Sequence, residues 1–273
     1  MEVTLDSIKP WNTYQSIKNE NTLQQRHHLS DCGILIFFWC MNKPIRNILA
    51  ISIAILPINL IMIWYRLTQT ENFSTVDMIV YPLLFGGGTI MLILLLNKYL
   101  IKDSFTSTFN SGKGTWYKDI LTGFGLTAVY FIMFFLERAT LMHWIPNNNP
   151  PNTELIKVMI DLANNPLLMV IWFGPVLWIG IALFEELSRT FLLKCLWNIS
   201  ENKNWHIIVI FLASTLIGVV HLYQGMAGIV SIGLKSVIMC FYFYKYRRLV
   251  PLVISHGLYD GLQFAFFITQ FQH

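Results

Sequence analysis

Apolar residues in this chain come in long blocks separated by short polar connections, with neither a strand-like alternation nor a single narrow helical stripe. Seven blocks stand out, at Asn47–Trp64, Val76–Ile101, Ile120–Leu136, Pro166–Trp197, Trp205–Gln224, Gly225–Tyr246 and Leu249–Phe271. A helix of about 20 apolar residues crosses the hydrocarbon layer of a bilayer, so the pattern predicts an all-α fold. It is a polytopic transmembrane helical bundle of about seven spans, with six to eight as the range. The Pro166–Trp197 block is too long for one plain span, and Pro166 and Pro175 are expected to break it, leaving a working helix near Pro175–Trp197. Asn147–Pro151 reads as a loop, and Thr153–Asn164 as a short amphipathic helix lying at the interface. Residues 1–46 form a polar N-terminal segment without the features of a cleavable signal peptide. Residues 47–273 form the membrane domain. The four cysteines show no CxxC spacing and predict neither a disulfide framework nor a thiolate zinc site.

Composition agrees with the pattern. Of the 273 residues, 55% are hydrophobic and 12% charged, with a mean hydropathy of +0.53, whereas soluble domains carry about 25% charged residues. The net charge of +4 gives no reason to expect nucleic acid as a partner. Placement of the charges says more. If the blocks cross in turn, fifteen Lys and Arg fall on the side of the N-terminus and three (Arg66, Arg138, Lys157) on the other, with Lys235 inside a span. By the positive-inside rule the N-terminus is cytoplasmic and the C-terminus outside, in a multi-pass protein of the cell membrane.

Charged groups inside apolar spans are costly and are usually paired or functional, and four sites stand out. Glu185, Glu186 and Arg189 lie between two apolar stretches of one helix. Helical spacing lets Arg189 pair with Glu185 or with Glu186, leaving the other carboxylate to face a cavity. His221 closes the fifth block, followed by Tyr223. His256 and Asp260 stand at i, i+4, so imidazole and carboxylate share a face. Gly257 and Gly261 beside them make a small-residue face for a neighbouring helix. Lys235 sits near the middle of its block, where it either meets a site carboxylate, binds an anionic group or snorkels to the interface. Carboxylates and histidines on three apolar helices are the residue types that activate water and hold an oxyanion.

At these residues the sequence resembles the CPBP family (CAAX protease and bacteriocin-processing, also called ABI) in its bacterial branch. These are intramembrane proteases related to the type II CAAX prenyl endopeptidases. The family order is a Glu-Glu…Arg helix, then a helix with Phe-xxx-His, then one with His-xxx-Asn or Asp. The resemblance covers about residues 166–270. It implies Glu185 or Glu186 as the base that activates water and His221 as its assistant. His256 with Asp260 would hold the oxyanion, with Arg189, Tyr223 and Lys235 in support. The chain departs from the pattern in three places. Two residues, not three, separate Glu186 from Arg189; Ile217 stands where Phe is usual; and Asp260 stands where eukaryotic relatives carry Asn. The first departure leaves open which glutamate is the base.

The implied activity is intramembrane endopeptidase hydrolysis, in a cavity open to the cytoplasm, of a membrane-associated or lipidated peptide or protein. Its partners are that substrate and membrane lipid. No cofactor is expected, since an HExxH pattern is missing; were zinc required, Glu185, His221 and His256 would be its ligands. Two other classes are compatible with the same residues. One is a non-catalytic membrane scaffold or bacteriocin-immunity protein; the other is a transporter using the groups as a proton relay. The absence of an internal repeat speaks against transport.

Overall fold

The computed structural model describes residues 41–68, 74–145 and 153–271. Cys32, Cys40, the Asn147–Pro151 loop and nearly all of the N-terminal segment lie outside them. Every described regular element is helical. Six helices are long and apolar enough to cross a membrane. They are α1 (Lys43–Trp64), α2 (Thr75–Ile101), α3 (Trp116–Ala139), α5 (Pro166–Trp197), α6 (Lys203–Val220) and α7 (Gly225–Tyr246). Between α3 and α5 lies the shorter α4 (Thr153–Ala163), and the chain closes with α8 (Val250–Phe271).

The seventh predicted block, α8, is as long as a span but less apolar, because it carries His256, Asp260 and Gln263. Its packing shows that it occupies the same layer. Gly123 of α3 faces Ile254, the Thr127 hydroxyl reaches the Ser255 carbonyl (3.4 Å), and Tyr130 and Phe131 pack on Tyr259. Both sequences ascend together, so α8 runs parallel to α3 at matched depth. The start of α8 is fastened by the loop before α3. Arg248 pairs with Asp119 and donates to the Gly112 carbonyl (3.2 Å), while the Leu249 amide donates to Asn110 Oδ1 and the Phe109 carbonyl. Hydrogen bonding to Asp119 raises the Arg248 pKa above its usual value. Gly112 passes so close to the Tyr246 carbonyl that no side chain fits there.

The long fifth span breaks as its prolines predict, in two ways. Pro166 opens a helix whose first amides are capped by Asn165. Gly174, just before Pro175, leaves helical geometry (φ −87°, ψ −109°), and the chain from Trp172 to Leu183 is wound wider than an α-helix. Regular α-helix resumes at Phe184 and carries Glu185, Glu186 and Arg189. The widened stretch packs closely on two neighbours. Gly180 meets α2 at Pro82 and Gly86, backbone against backbone, while Trp178 and Leu177 fill the face of Gly257 and Gly261 on α8. That neighbour is the one the two glycines predicted. The helix predicted at Thr153–Asn164 is α4; it buries Val158 and Leu162, the latter against Trp172, Val176 and Phe264.

The bundle is solid at one end. Leu192, Leu193 and Trp197 of α5, Val209, Ile210 and Ala213 of α6, and Met239, Cys240 and Phe243 of α7 form one dry core with Leu252 of α8. Most of them lie toward the Lys- and Arg-bearing connections, while Ala213 stands just past the middle of α6 and Tyr130 and Tyr259 carry the same core up to the middle of α3 and α8.

Candidate active site

Beside this core the bundle is hollow. A cavity of about 820 Å³ is bounded by α2, α3, α5, α7, α8 and the turn after α6, with Met62 of α1 at its edge. Glu185, Arg189, His221, Lys235, His256 and Asp260 all line it. Residues far apart in sequence and on four elements thus share one chamber.

Glu186 is fully buried and lies behind the cavity wall. Arg189 pairs with Glu186 and not with Glu185. The same Glu186 oxygen, Oε1, meets His256 Nδ1 at 2.8 Å. His256 Nε2 lies 3.3 Å from Asp260 Oδ2 and 3.7 Å from Glu185 Oε2. The two cavity-facing carboxylates are partly exposed, 28% for the Glu185 side chain and 31% for Asp260, whereas that of Glu186 is at 0%. One glutamate is therefore locked between Arg189 and His256, and the other is available to water. With His256 protonated, three carboxylates against two cations leave the cluster one negative charge.

His221 lies just past the end of α6, where its backbone amide closes the helix on Gly218 and Val219. Its Nδ1 is 2.8 Å from the Ile217 carbonyl. A carbonyl only accepts, so Nδ1 carries the hydrogen and the neutral ring has its lone pair at Nε2. The departure at Ile217 leaves this bond intact, because the backbone and not the side chain makes it. Tyr223 lies in the 3₁₀ turn Leu222–Gln224, and its side chain is outside the described part.

Counting residues from the ends of the blocks predicts different depths for Glu185, His221 and His256, and yet they line one chamber. Two features reconcile this. The first turn of α8 is tucked under the loop before α3, with Leu249 at 2% exposure, so His256 starts from an already buried level. The Gly174 kink redirects α5 ahead of Glu185.

Lys235 is buried and bonds Glu137 Oε2 of α3 (2.9 Å) and the Ser231 hydroxyl, with the rings of Tyr259 and Phe134 beneath its ammonium. Ser231 also donates to Glu137 Oε2. Of the roles open to Lys235, the structure shows pairing with a carboxylate, though one outside the Glu185 group. Glu137 and Ser231 line the same cavity and were missed from sequence. Glu137 precedes Arg138 at the end of a block and reads as a solvated helix end; the signal that could have found it is the unmatched Lys235.

A second, mostly apolar cavity of about 290 Å³ lies between α1, α5 and α6 and shares Met62, Phe184, Glu185, Arg189 and His221 with the first. A metal does not fit this arrangement well. Among the described residues no three His, Cys, Asp or Glu side chains are grouped to hold an ion, and both His256 nitrogens already face carboxylates.

Residues 167–262 match a family model described as Type II CAAX prenyl endopeptidase, Rce1-like. Over this segment the chain is similar to the CAAX-protease family. No curated protein and no solved structure matches the chain. The matched segment runs from α5 into α8 and contains Glu185, Glu186, Arg189, His221, Lys235, His256 and Asp260. Glu137 lies outside it, so α3 brings a charge to the chamber from beyond the matched stretch. In general terms the family and the six apolar spans support a multi-pass intramembrane endopeptidase of the CAAX type.

Proposed function

We propose that the chain hydrolyses a peptide bond of a membrane-associated peptide or protein with Glu185 as the base. The observation that carries this reading is the division between the two adjacent glutamates: Glu186 is buried and paired, Glu185 is open to the cavity and 3.7 Å from His256. Glu185 takes a proton from water as the water oxygen attacks the scissile carbonyl, and returns it to the amine nitrogen as the C–N bond breaks. His221, with its tautomer set by Ile217, helps orient that water. His256 Nε2–H faces the chamber and steadies the developing oxyanion, with Asp260 supporting its charge. Glu186 and Arg189 are positioning residues: they hold the His256 ring from behind through Nδ1. The polar chamber supplies the water that apolar spans would otherwise exclude, and no metal takes part in these steps.

The test is cleavage of membrane-tethered fluorogenic peptides by purified protein. Glu185→Gln is expected to lower kcat/KM by about 10²–10⁴-fold with an unchanged melting temperature. Glu186→Gln is expected to lower activity and melting temperature together, because it breaks a buried pair. A chelator is expected to have no effect. Wild-type-like cleavage by Glu185→Gln overturns the assignment, and a wild type that cleaves none of the peptides favours a non-catalytic scaffold.

A further inference from the structure

Tyr130 of α3 has no task in the chemistry set out above, although its position is unusual. Its ring belongs to the dry core, 4.9 Å centroid to centroid from Tyr259, yet the side chain also lines the cavity. The register of α3 on α8 places it there. Thr127, one turn earlier, reaches the carbonyl of Ser255, the residue before His256, so Tyr130 stands beside the stretch from His256 to Asp260. It is 4% exposed, and its hydroxyl makes no hydrogen bond among the described residues. Buried polar groups are nearly always hydrogen-bonded, and one left open toward a chamber is free to meet what the chamber binds. The two stacked tyrosines serve different charges. The Tyr259 hydroxyl meets Gln263 (2.7 Å) and lies in the field of Asp260, Glu137 and Arg138. The Tyr130 hydroxyl lies in the field of Glu186, Arg189, Asp260 and Glu185, the groups around His256.

His256 alone leaves an oxyanion short of donors. Its Nδ1 is taken by Glu186, and the single hydrogen at Nε2 is shared between Asp260 at 3.3 Å and Glu185 at 3.7 Å. An ionised Asp260 accepts only, whereas an amide in its place would donate. Oxyanions of acyl transfer are held by several preorganised donors. We propose that the Tyr130 hydroxyl is the second donor to the oxyanion, a catalytic residue that α3 supplies from outside residues 167–262. The phenol keeps its proton throughout. Its O–H donates to the scissile carbonyl oxygen as that oxygen gains charge, and lets go when the C–N bond breaks and the carbonyl re-forms. A neutral donor suits a cluster that already holds one negative charge, because it adds a hydrogen bond without adding another charge. The proposal rests on the protease reading of the chamber.

The experiment compares the full-length wild type, Tyr130→Phe and Tyr259→Phe in two assays. One is cleavage of membrane-tethered peptides; the other is inhibition by a peptide phosphonate, whose tetrahedral anion mimics the oxyanion. Both variants keep the stacked rings, and KM and the inhibition constant report on folded molecules alone, so a lower yield does not imitate the effect. Tyr130→Phe is expected to lower kcat by about 10²–10³-fold, to leave KM little changed and to weaken the phosphonate by a similar factor. The limbs of its pH–rate profile are expected to stay in place, because a donor that keeps its proton does not titrate. Tyr259→Phe is expected to match wild type. Wild-type kcat and phosphonate affinity in Tyr130→Phe overturn the proposal. Equal losses in the two variants do so too, since they would reflect the polarity of the chamber in general, and a displaced pH limb would make Tyr130 an acid or base instead. A wild type that neither cleaves nor binds the phosphonate removes the protease reading and the donor with it, whereas an active wild type with an unimpaired Tyr130→Phe removes the donor alone.

Discussion

At the level of single residues, the chamber is organised by buried charge. Two ion pairs border it, Arg189–Glu186 and Lys235–Glu137; the first leaves two buried atoms without a hydrogen-bond partner, Glu186 Oε2 and Arg189 Nε, and the second leaves one, Glu137 Oε1. Such pairs are weak net stabilisers, but losing one partner strands the other. Lys235→Met is therefore expected to destabilise the protein by about 3–5 kcal/mol, while Glu137→Gln with Lys235→Met in one chain recovers most of that. Thermal unfolding in detergent of the two single variants and the double measures it, and additive losses would show that the pair is not coupled. The charged residues of the Glu185 group were legible in the sequence because each interrupts an apolar run. Their pairing across helices was not. The Glu186–His256 contact joins positions on different helices, and helical periodicity relates only neighbours along one helix. Asp260, at i+4, was the partner that periodicity suggested for His256; Glu186 proves the shorter contact.

At the level of helices, small residues set how closely neighbours approach. Gly86 and Gly180 place the backbones of α2 and α5 in direct contact, and a Cβ at either position would run into backbone atoms that have no room to give. Gly180→Ala is expected to cost about 1–3 kcal/mol, as overpacking does, and to lower activity as well, since Gly180 stands a little more than one turn ahead of Glu185. Equal melting temperatures for Gly180→Ala and wild type would contradict this. The sequence announced the helices themselves, and their bounds moved by only a few residues. It announced the break near Pro175 too, because proline removes a donor. The widened winding from Trp172 to Leu183 was not legible, for it depends on what α2 and α8 press against that stretch.

For the molecule as a whole, direction of crossing follows from the parallel pairing of α3 and α8. Both start at the basic end, so Phe271 at the end of α8 lies at the bundle end opposite Lys113 and Arg248. A C-terminal epitope tag is expected to be removed by protease added to intact cells, and an N-terminal one protected; protection of both tags would mean that α8 fails to cross. The separation of a packed core from the chamber beside it also has a genetic consequence. Changes among Leu193, Ile210, Phe243 and their neighbours remove contacts that keep the chain folded, and so reduce how many molecules survive quality control. Changes at Glu185 or Asp260 fall on side chains that open to the cavity, and alter what each surviving molecule does. A collection of random mutants scored for both protein abundance and phenotype should therefore fall into two classes, divided by whether the side chain faces the core or the cavity and hardly at all by which helix is hit.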